Sequence, residues 1–192
     1  MLRKEVSHPF YPVSKFPELY TLKDSWEIIR DEALEHVDSF YPMEDGRNLT
    51  NNWTCMPLSP EPDDIEYHGD DLTSKVDKWS DKFSKTRELC DSIENVGYVF
   101  SLLGPKGHIK THDHELNFVS AILGLDLEEP CLFRVGDQYV CIKEGQFTVF
   151  DYTVEHEAWN YSDKNRLVLL ISLVNKYQKS ATSRSSSSTC PT

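Results

Sequence analysis

EGQFTVFDYTVEHEAWN, residues 144–160, is the stretch on which the reading of this 192-residue chain turns. Glu144-Gly145 marks a turn, and FTVFD (147–151) behind it has the β-branched and aromatic content of a short strand. His156 follows at a strand edge. Outward from this segment the pattern repeats. Short β-rich runs cover 98–103 (YVFSLL), 118–125 (FVSAILGL), 131–135 (CLFRV), 138–142 (QYVCI) and 166–174 (RLVLLISLV). Gly136-Asp137 is a two-residue hairpin signal between two of them. Several short strands at close spacing predict a barrel or sandwich.

The N-terminal half reads differently. Leu22, Trp26, Ile29, Ala33 and Val37 fall on one face of a 3.6-residue period, which predicts a helix over 22–38. Thr21 with Asp24 resembles a capping box with a shorter acid. A second stripe, Val76, Trp79, Phe83, Thr86, Cys90 and Ile93, predicts a helix over 75–95, with Gly97 at its C-terminal cap. The Pro-, Asp- and Asn-rich segment 41–73 reads as a long irregular loop. The expected architecture is mainly β with flanking helices, two helices packed on a small barrel. One domain is expected over 1–178, and the Ser/Thr-rich tail 179–192 has too few apolar residues to order itself.

Composition narrows the function. The formal charge is −12, which opposes non-specific binding to nucleic acid or an anionic membrane. With 39% hydrophobic and 27% charged residues the class is soluble and globular, and no run is apolar enough to span a bilayer. Five widely spaced cysteines form neither a disulfide framework nor a zinc knuckle. Basic residues at the N-terminus lack an apolar run behind them, so the expected location is cytoplasmic.

Three of the seven histidines fall at informative places. His112 and His114 lie in the loop GHIKTHDHE, and His156 lies 44 residues beyond His112. A non-haem iron(II) centre takes two imidazoles and usually a carboxylate on one face of the metal, and a barrel can bring such groups together from facing strands. Simple solvation in polar loops is the alternative. Arg166 heads an otherwise apolar strand, and a guanidinium there requires a partner. Either a rim salt bridge or a bidentate ligand carboxylate would serve. Phe118, Phe133, Tyr139, Phe150 and Trp159 are candidates for an apolar lining, or plain core.

The stretch from Phe100 to Val174 resembles the catalytic core of the aspartyl/asparaginyl β-hydroxylase family. The matching pieces are Ser101 followed by GPKGHIKTH, then ILGLDL, CLFRVGDQ, EGQFTVFDYTVEHEAWN and RLVLLISL. Residues 16–34 (FPELYTLKDSWEIIRDEAL) resemble the family's N-terminal helix. The resemblance implies a double-stranded β-helix (jelly-roll, cupin-like) barrel. It implies an oxidoreductase using iron(II), 2-oxoglutarate and O2, with His112 and His156 as metal ligands and as catalytic residues with Arg166. Arg166 and Ser101 would hold the distal carboxylate of 2-oxoglutarate, and Trp159 would help to shape the site. The family has glycine where this chain has His114, which becomes a third ligand, a supporting group or a substrate contact. The reading favoured here turns it toward solvent or substrate. Ser120 and Ile122 stand where the family carries an arginine and a histidine near the cosubstrate. The substrate expected is a small molecule such as a free amino acid or biosynthetic intermediate. The alternatives are Asp or Asn residues of a peptide or protein, or a non-enzymatic cupin-like binding module.

Overall fold

The computed structural model describes residues 8–43, 46–59, 80–95, 97–114 and 118–175. The tail 179–192 and the first part of the expected second helix, 75–79, lie outside the described residues. The described chain is built on eleven strands in two antiparallel sheets. In order they are β1 (Phe10–Tyr11), β2 (Tyr41–Pro42), β3 (Trp53–Pro57), β4 (Gly97–Leu103), β5 (His108–His112), β6 (Phe118–Asp126), β7 (Cys131–Val135), β8 (Gln138–Cys141), β9 (Phe147–Asp151), β10 (His156–Asn160) and β11 (Arg166–Val174). The larger sheet runs β1-β9-β6-β11-β4-β3-β2, and the smaller runs β5-β10-β7-β8. Two facing antiparallel sheets of this connectivity form the double-stranded β-helix expected from the sequence.

Alternation along the strands separates two cores. Tyr98, Phe100, Val119, Ala121, Leu123, Leu169 and Ile171 face one way, into a cluster with Leu19, Leu22, Ile29, Ala33, Phe83 and Cys90 from the helical side. The intervening residues face the barrel interior, where Trp53, Leu103, Ile122 and Val168 meet Ile109, Phe133, Val135 and Ala158 of the smaller sheet. The larger sheet is thus covered on both faces, which explains continuous apolar runs such as RLVLLISLV.

The helical layer is more broken than its periodicity predicts. Helix α1 spans Leu19–Asp24 and α2 spans Trp26–Glu35, interrupted at Ser25, whose φ of −109° and ψ of 12° leave the helical region. Thr21 lies inside α1, and the Glu18 cap position makes no side-chain cap bond, so the expected capping box is absent. Helix α3 covers only Ser84–Asp91, after a 3-10 turn at Ser80–Phe83. Gly97 opens β4 instead of closing that helix. The α3 N-terminus is capped from outside: Glu32 of α2 accepts from the backbone N–H of Lys85 at 3.0 Å and of Thr86 at 2.8 Å. This buried carboxylate ties the two helices together.

Two glycines earn their places. Gly145 has φ of +64°, and a Cβ there would stand 3.0 Å from Trp26 Nε1, where the turn before β9 meets α2. At Gly124 a Cβ would come 2.2 Å from the Lys143 carbonyl oxygen, because the two backbones touch there.

The main disagreement with the sequence lies in the described part of 41–73; residues 44–45 and 60–73 of that expected loop lie outside the described residues. This segment supplies β2 and β3, and β3 is fully integrated, pairing with β4 from Trp53↔Leu103 to Pro57↔Val99. Its proline-rich flanks conceal a five-residue strand.

Candidate metal centre

The smaller sheet places its histidines by register. His112 ends β5, although its segment reads as a loop, and His156 begins β10; the two are paired directly across the antiparallel ladder. Their ring centroids are 4.3 Å apart. His114 follows after Asp113. Its ring stacks on Tyr152 at 3.8 Å and an 8° interplanar angle, and lies 5.4 Å from His112 and 5.5 Å from His156. One ligand atom from each histidine falls within 4.8 Å of the others. The favoured expectation is a His114 ring that faces solvent or substrate; the structure sets this ring on Tyr152 and beside the other two histidines.

Tautomers follow from the hydrogen bonds. His112 Nδ1 lies 2.7 Å from the Lys110 carbonyl and His156 Nδ1 lies 2.9 Å from the Val154 carbonyl. A carbonyl oxygen only accepts, so each Nδ1 carries the proton and each Nε2 keeps its lone pair. Burial holds His156, 5% exposed, well below the ordinary histidine range, and neighbouring His112 adds to this. Burial, then His112 and Arg47, push His114 down to about 3. His114 and His156 are thus neutral near pH 7, the state in which imidazole binds a metal. Phe150 and Phe133 close the apolar side, 5.1 Å and 6.1 Å from the His156 ring.

The larger sheet supplies the rest of the interior. Arg166 pairs with Leu103, and Ser101 pairs with Val168, so the two side chains project into the barrel from neighbouring strands. Arg166 is 2% exposed, and its Nε makes no hydrogen bond. Among the described residues no acid pairs with it, so the rim salt bridge is not found. Burial pulls its guanidinium down to about 10. Ser101 Oγ accepts from Trp53 Nε1 at 2.9 Å. Ser120 is buried on the interior face of β6, opposite Phe150 and level with the histidine end.

Trp159 departs from expectation. Strand alternation turns it to the outer face of the smaller sheet, where it stacks on His108 at 5.2 Å, with Tyr161 and Tyr139 each 6.4 Å away. It does not line the interior. Tyr139, 57% exposed, does not line it either. On the same face Glu157 takes Arg134 Nη2 and His108 Nε2, each at 2.7 Å, and the Thr111 hydroxyl at 2.5 Å. This network fixes β5, β7 and β10 behind the histidines.

Sequence reading missed three contributors. Asn160 donates through Nδ2 to the carbonyls of Leu103, Gly104 and Lys164, and its Oδ1 accepts from Ser162. It joins the ends of β4 and β10 to the loop that enters β11 at Arg166. Tyr152 had no periodic signal. Trp53 was hidden in the segment taken as loop.

The sequence profile of the aspartyl/asparaginyl beta-hydroxylases matches residues 23–176. The chain belongs to this family. Among curated relatives, an ornithine lipid ester-linked acyl 2-hydroxylase of Rhizobium tropici is 37% identical over 87 residues, 43% of this chain and 31% of that protein. The aspartyl/asparaginyl beta-hydroxylase of Mus musculus is 25% identical over 157 residues, 79% of this chain and 20% of that protein. The chain thus spans a third or less of the length of these relatives. A prolyl-4-hydroxylase structure from Pseudomonas putida superposes with a TM-score of 0.51 at 16% identity, covering 79% of this chain and 87% of that one, which supports the barrel fold. Among the described residues no helix is long and apolar enough to cross a membrane.

Proposed function

We propose that this chain is an iron(II)- and 2-oxoglutarate-dependent dioxygenase that hydroxylates a C–H bond of a small molecule such as a free amino acid or biosynthetic intermediate. The observation that carries the reading is Arg166. A fully buried guanidinium without an acid partner costs several kcal/mol, on the order of 3–5, unless something of opposite charge completes it. It shares the barrel interior with three converging imidazoles, and a dicarboxylate that reaches both places satisfies it.

The donor set fits iron(II). Imidazole suits this metal, and His112 and His156 each present a bare Nε2. His114 joins them as the third ligand in this proposal, giving a neutral three-histidine set. When bound, iron(II) with O2 and 2-oxoglutarate supplies the oxidising equivalents for hydroxylation, releasing succinate and carbon dioxide.

The chain's own groups do the positioning. Arg166 offers a fork to the distal carboxylate. Trp53 donates to Ser101 Oγ, which leaves the Ser101 proton free to donate to that same carboxylate. Ser120 offers a hydroxyl near the metal end. Phe133 and Phe150 keep water from the His156 side. The interior position of these groups suits a slender substrate. The family name does not fix which, since the relatives above are named for a lipid acyl chain and for aspartyl or asparaginyl residues.

The test is an anaerobic titration with iron(II), then with 2-oxoglutarate, read by the visible charge-transfer band. One iron per chain and a saturable band are expected, with slow succinate formation once air is admitted. Arg166→Ala should raise the 2-oxoglutarate Kd by tens to thousands of fold, from a loss of ~2–5 kcal/mol. Normal 2-oxoglutarate binding by that variant, or loss of none of the iron in His156→Ala, rejects the proposal.

A further inference from the structure

Asn160 ends β10 and is fully buried. Its Nδ2 lies 3.0 Å from the Leu103 carbonyl oxygen, 2.9 Å from that of Gly104 and 2.7 Å from that of Lys164. The amide has two protons, so one of them is shared between two of these acceptors. Its Oδ1 accepts from the Ser162 N–H at 3.1 Å and from the Ser162 hydroxyl at 2.8 Å. Lys164 N–H donates in turn to Ser162 Oγ at 3.2 Å. The turn after β4 joins the same knot: Asn160 N–H donates to the Gly107 carbonyl at 2.9 Å, and Lys106 N–H to the Ser162 carbonyl at 3.2 Å.

Arg166 follows directly. The loop 161–165 is exposed except at Ser162, and Arg166 comes after it as the first residue of β11. There the strand has a ladder partner on one side only. Arg166 pairs with Leu103 of β4, whereas pairing with β6 begins at Leu167. Chain segments with few ladder bonds open most readily. Asn160 is bonded to the carbonyl of Leu103, opposite Arg166, and to that of Lys164, two residues before it. It therefore fixes the backbone across from Arg166 and ahead of it. The Arg166 side chain is buried, its Nε makes no hydrogen bond, and no acid among the described residues pairs with it. Its aim is thus set by its backbone. A guanidinium fork meets a carboxylate through two parallel N–H···O bonds, and a displacement of about 1 Å loses that match.

We propose that Asn160 is the positioning residue of Arg166, and that through Arg166 it gives the site its preference for a keto acid with a distal carboxylate. The proposal rests on the dioxygenase reading above. The part of Asn160 is to hold the backbone, not to contact the ligand.

The test uses the manganese(II)-loaded chain and calorimetric titration with two probes, 2-oxoglutarate and 2-oxopentanoate, which lacks the distal carboxylate. Wild type is compared with Asn160→Ala, Ser162→Ala, Arg166→Ala and the Asn160→Ala/Arg166→Ala double variant. Asn160→Ala is expected to weaken 2-oxoglutarate at least about tenfold and 2-oxopentanoate less than about threefold. Ser162→Ala, which keeps the amide and loses only the hydroxyl beneath it, should show the same preference loss at about threefold. In the double variant both affinities should equal those of Arg166→Ala, because the group through which Asn160 acts is gone. Equal weakening of both probes by Asn160→Ala, unchanged binding of both, or a further loss in the double variant overturns the proposal. If the Asn160 variants do not fold, as read by urea midpoint, Ser162→Ala decides, and an unchanged preference there also overturns it. Failure of the dioxygenase reading shows separately, as normal 2-oxoglutarate binding by Arg166→Ala.

Discussion

The larger sheet is buried on both faces, and the smaller sheet on one. In the larger, residues such as Phe100, Leu123 and Leu169 pack on the helices while Leu103, Ile122 and Val168 pack inside the barrel. In the smaller, Ile109, Phe133, Val135 and Ala158 face inward, while His108, Glu157, Arg134 and Tyr139 face out. The larger sheet therefore carries most of the stability, and the few polar groups on its interior face, Arg166, Ser101 and Ser120 among them, are exceptions that need a reason. The smaller sheet carries the histidines and secures them from behind with the Glu157 network.

The largest effect should come from the core of the larger sheet. Phe100 is fully buried and stacks on Phe40 with centroids 5.9 Å apart. Phe100→Ala should cost ~3–5 kcal/mol in urea unfolding. A loss under about 1 kcal/mol would show that the helix-facing core does not dominate.

On the interior face of the same sheet the sign should reverse. Arg166→Met removes a buried guanidinium that has no acid partner among the described residues and replaces it with an apolar chain of similar length. Stability of the ligand-free chain should hold or rise, since replacing buried charge with apolar volume is often neutral or stabilising by ~1–4 kcal/mol. Affinity for 2-oxoglutarate should fall as in Arg166→Ala. A variant that unfolds instead would make Arg166 a structural group.

The same contrast governs what could be read from the sequence. Strands buried on both faces announce themselves as apolar runs, and three of them, over 98–103, 118–125 and 166–174, coincide with β4, β6 and β11 to within a residue. The strands bearing His112 and His156 alternate polar with apolar and contain histidine, lysine and glutamate, so they looked like loops or strand edges. Arg166 was legible because it interrupts an apolar run. Arg47 and Trp53 were not, because a proline- and asparagine-rich neighbourhood masked the strand β3, which pairs with β2 and β4. Trp159 was misplaced for a simpler reason: position just past His156 says nothing of which face the strand gives it.

A smaller effect should appear with pH in the metal-free chain. Folded His114 is held to about 3, against roughly 6.5 when unfolded. The unfolded chain thus binds more protons below neutrality, and stability falls as pH drops through about 6.5 and continues to fall toward 3. At pH 5 this residue alone should remove roughly 2 kcal/mol relative to pH 8. His114→Gly should flatten that part of the urea-midpoint profile. An unchanged profile would place the His114 ring in water, not against Tyr152.

The smallest effect concerns Trp159, and it separates the two faces of the smaller sheet most sharply. Its neighbours His156, Ala158 and Asn160 point inward on β10, while Trp159 lies outside on His108. If the strand alternates as described, Trp159→Ala removes a stacking surface from the outer face and leaves the metal, Arg166 and Ser101 undisturbed. Stability should drop by about 1 kcal/mol, the scale of an aromatic cross-strand pair. Iron content should stay at one per chain, and the 2-oxoglutarate Kd should change by less than about threefold, under ~1 kcal/mol. A tenfold loss of cosubstrate affinity at unchanged stability would mean that Trp159 reaches the interior, and the register of β10 against β5 would have to shift by one residue, which would also carry His156 out of the cluster. The iron content of the same sample decides between these outcomes, because a slipped strand cannot keep the metal.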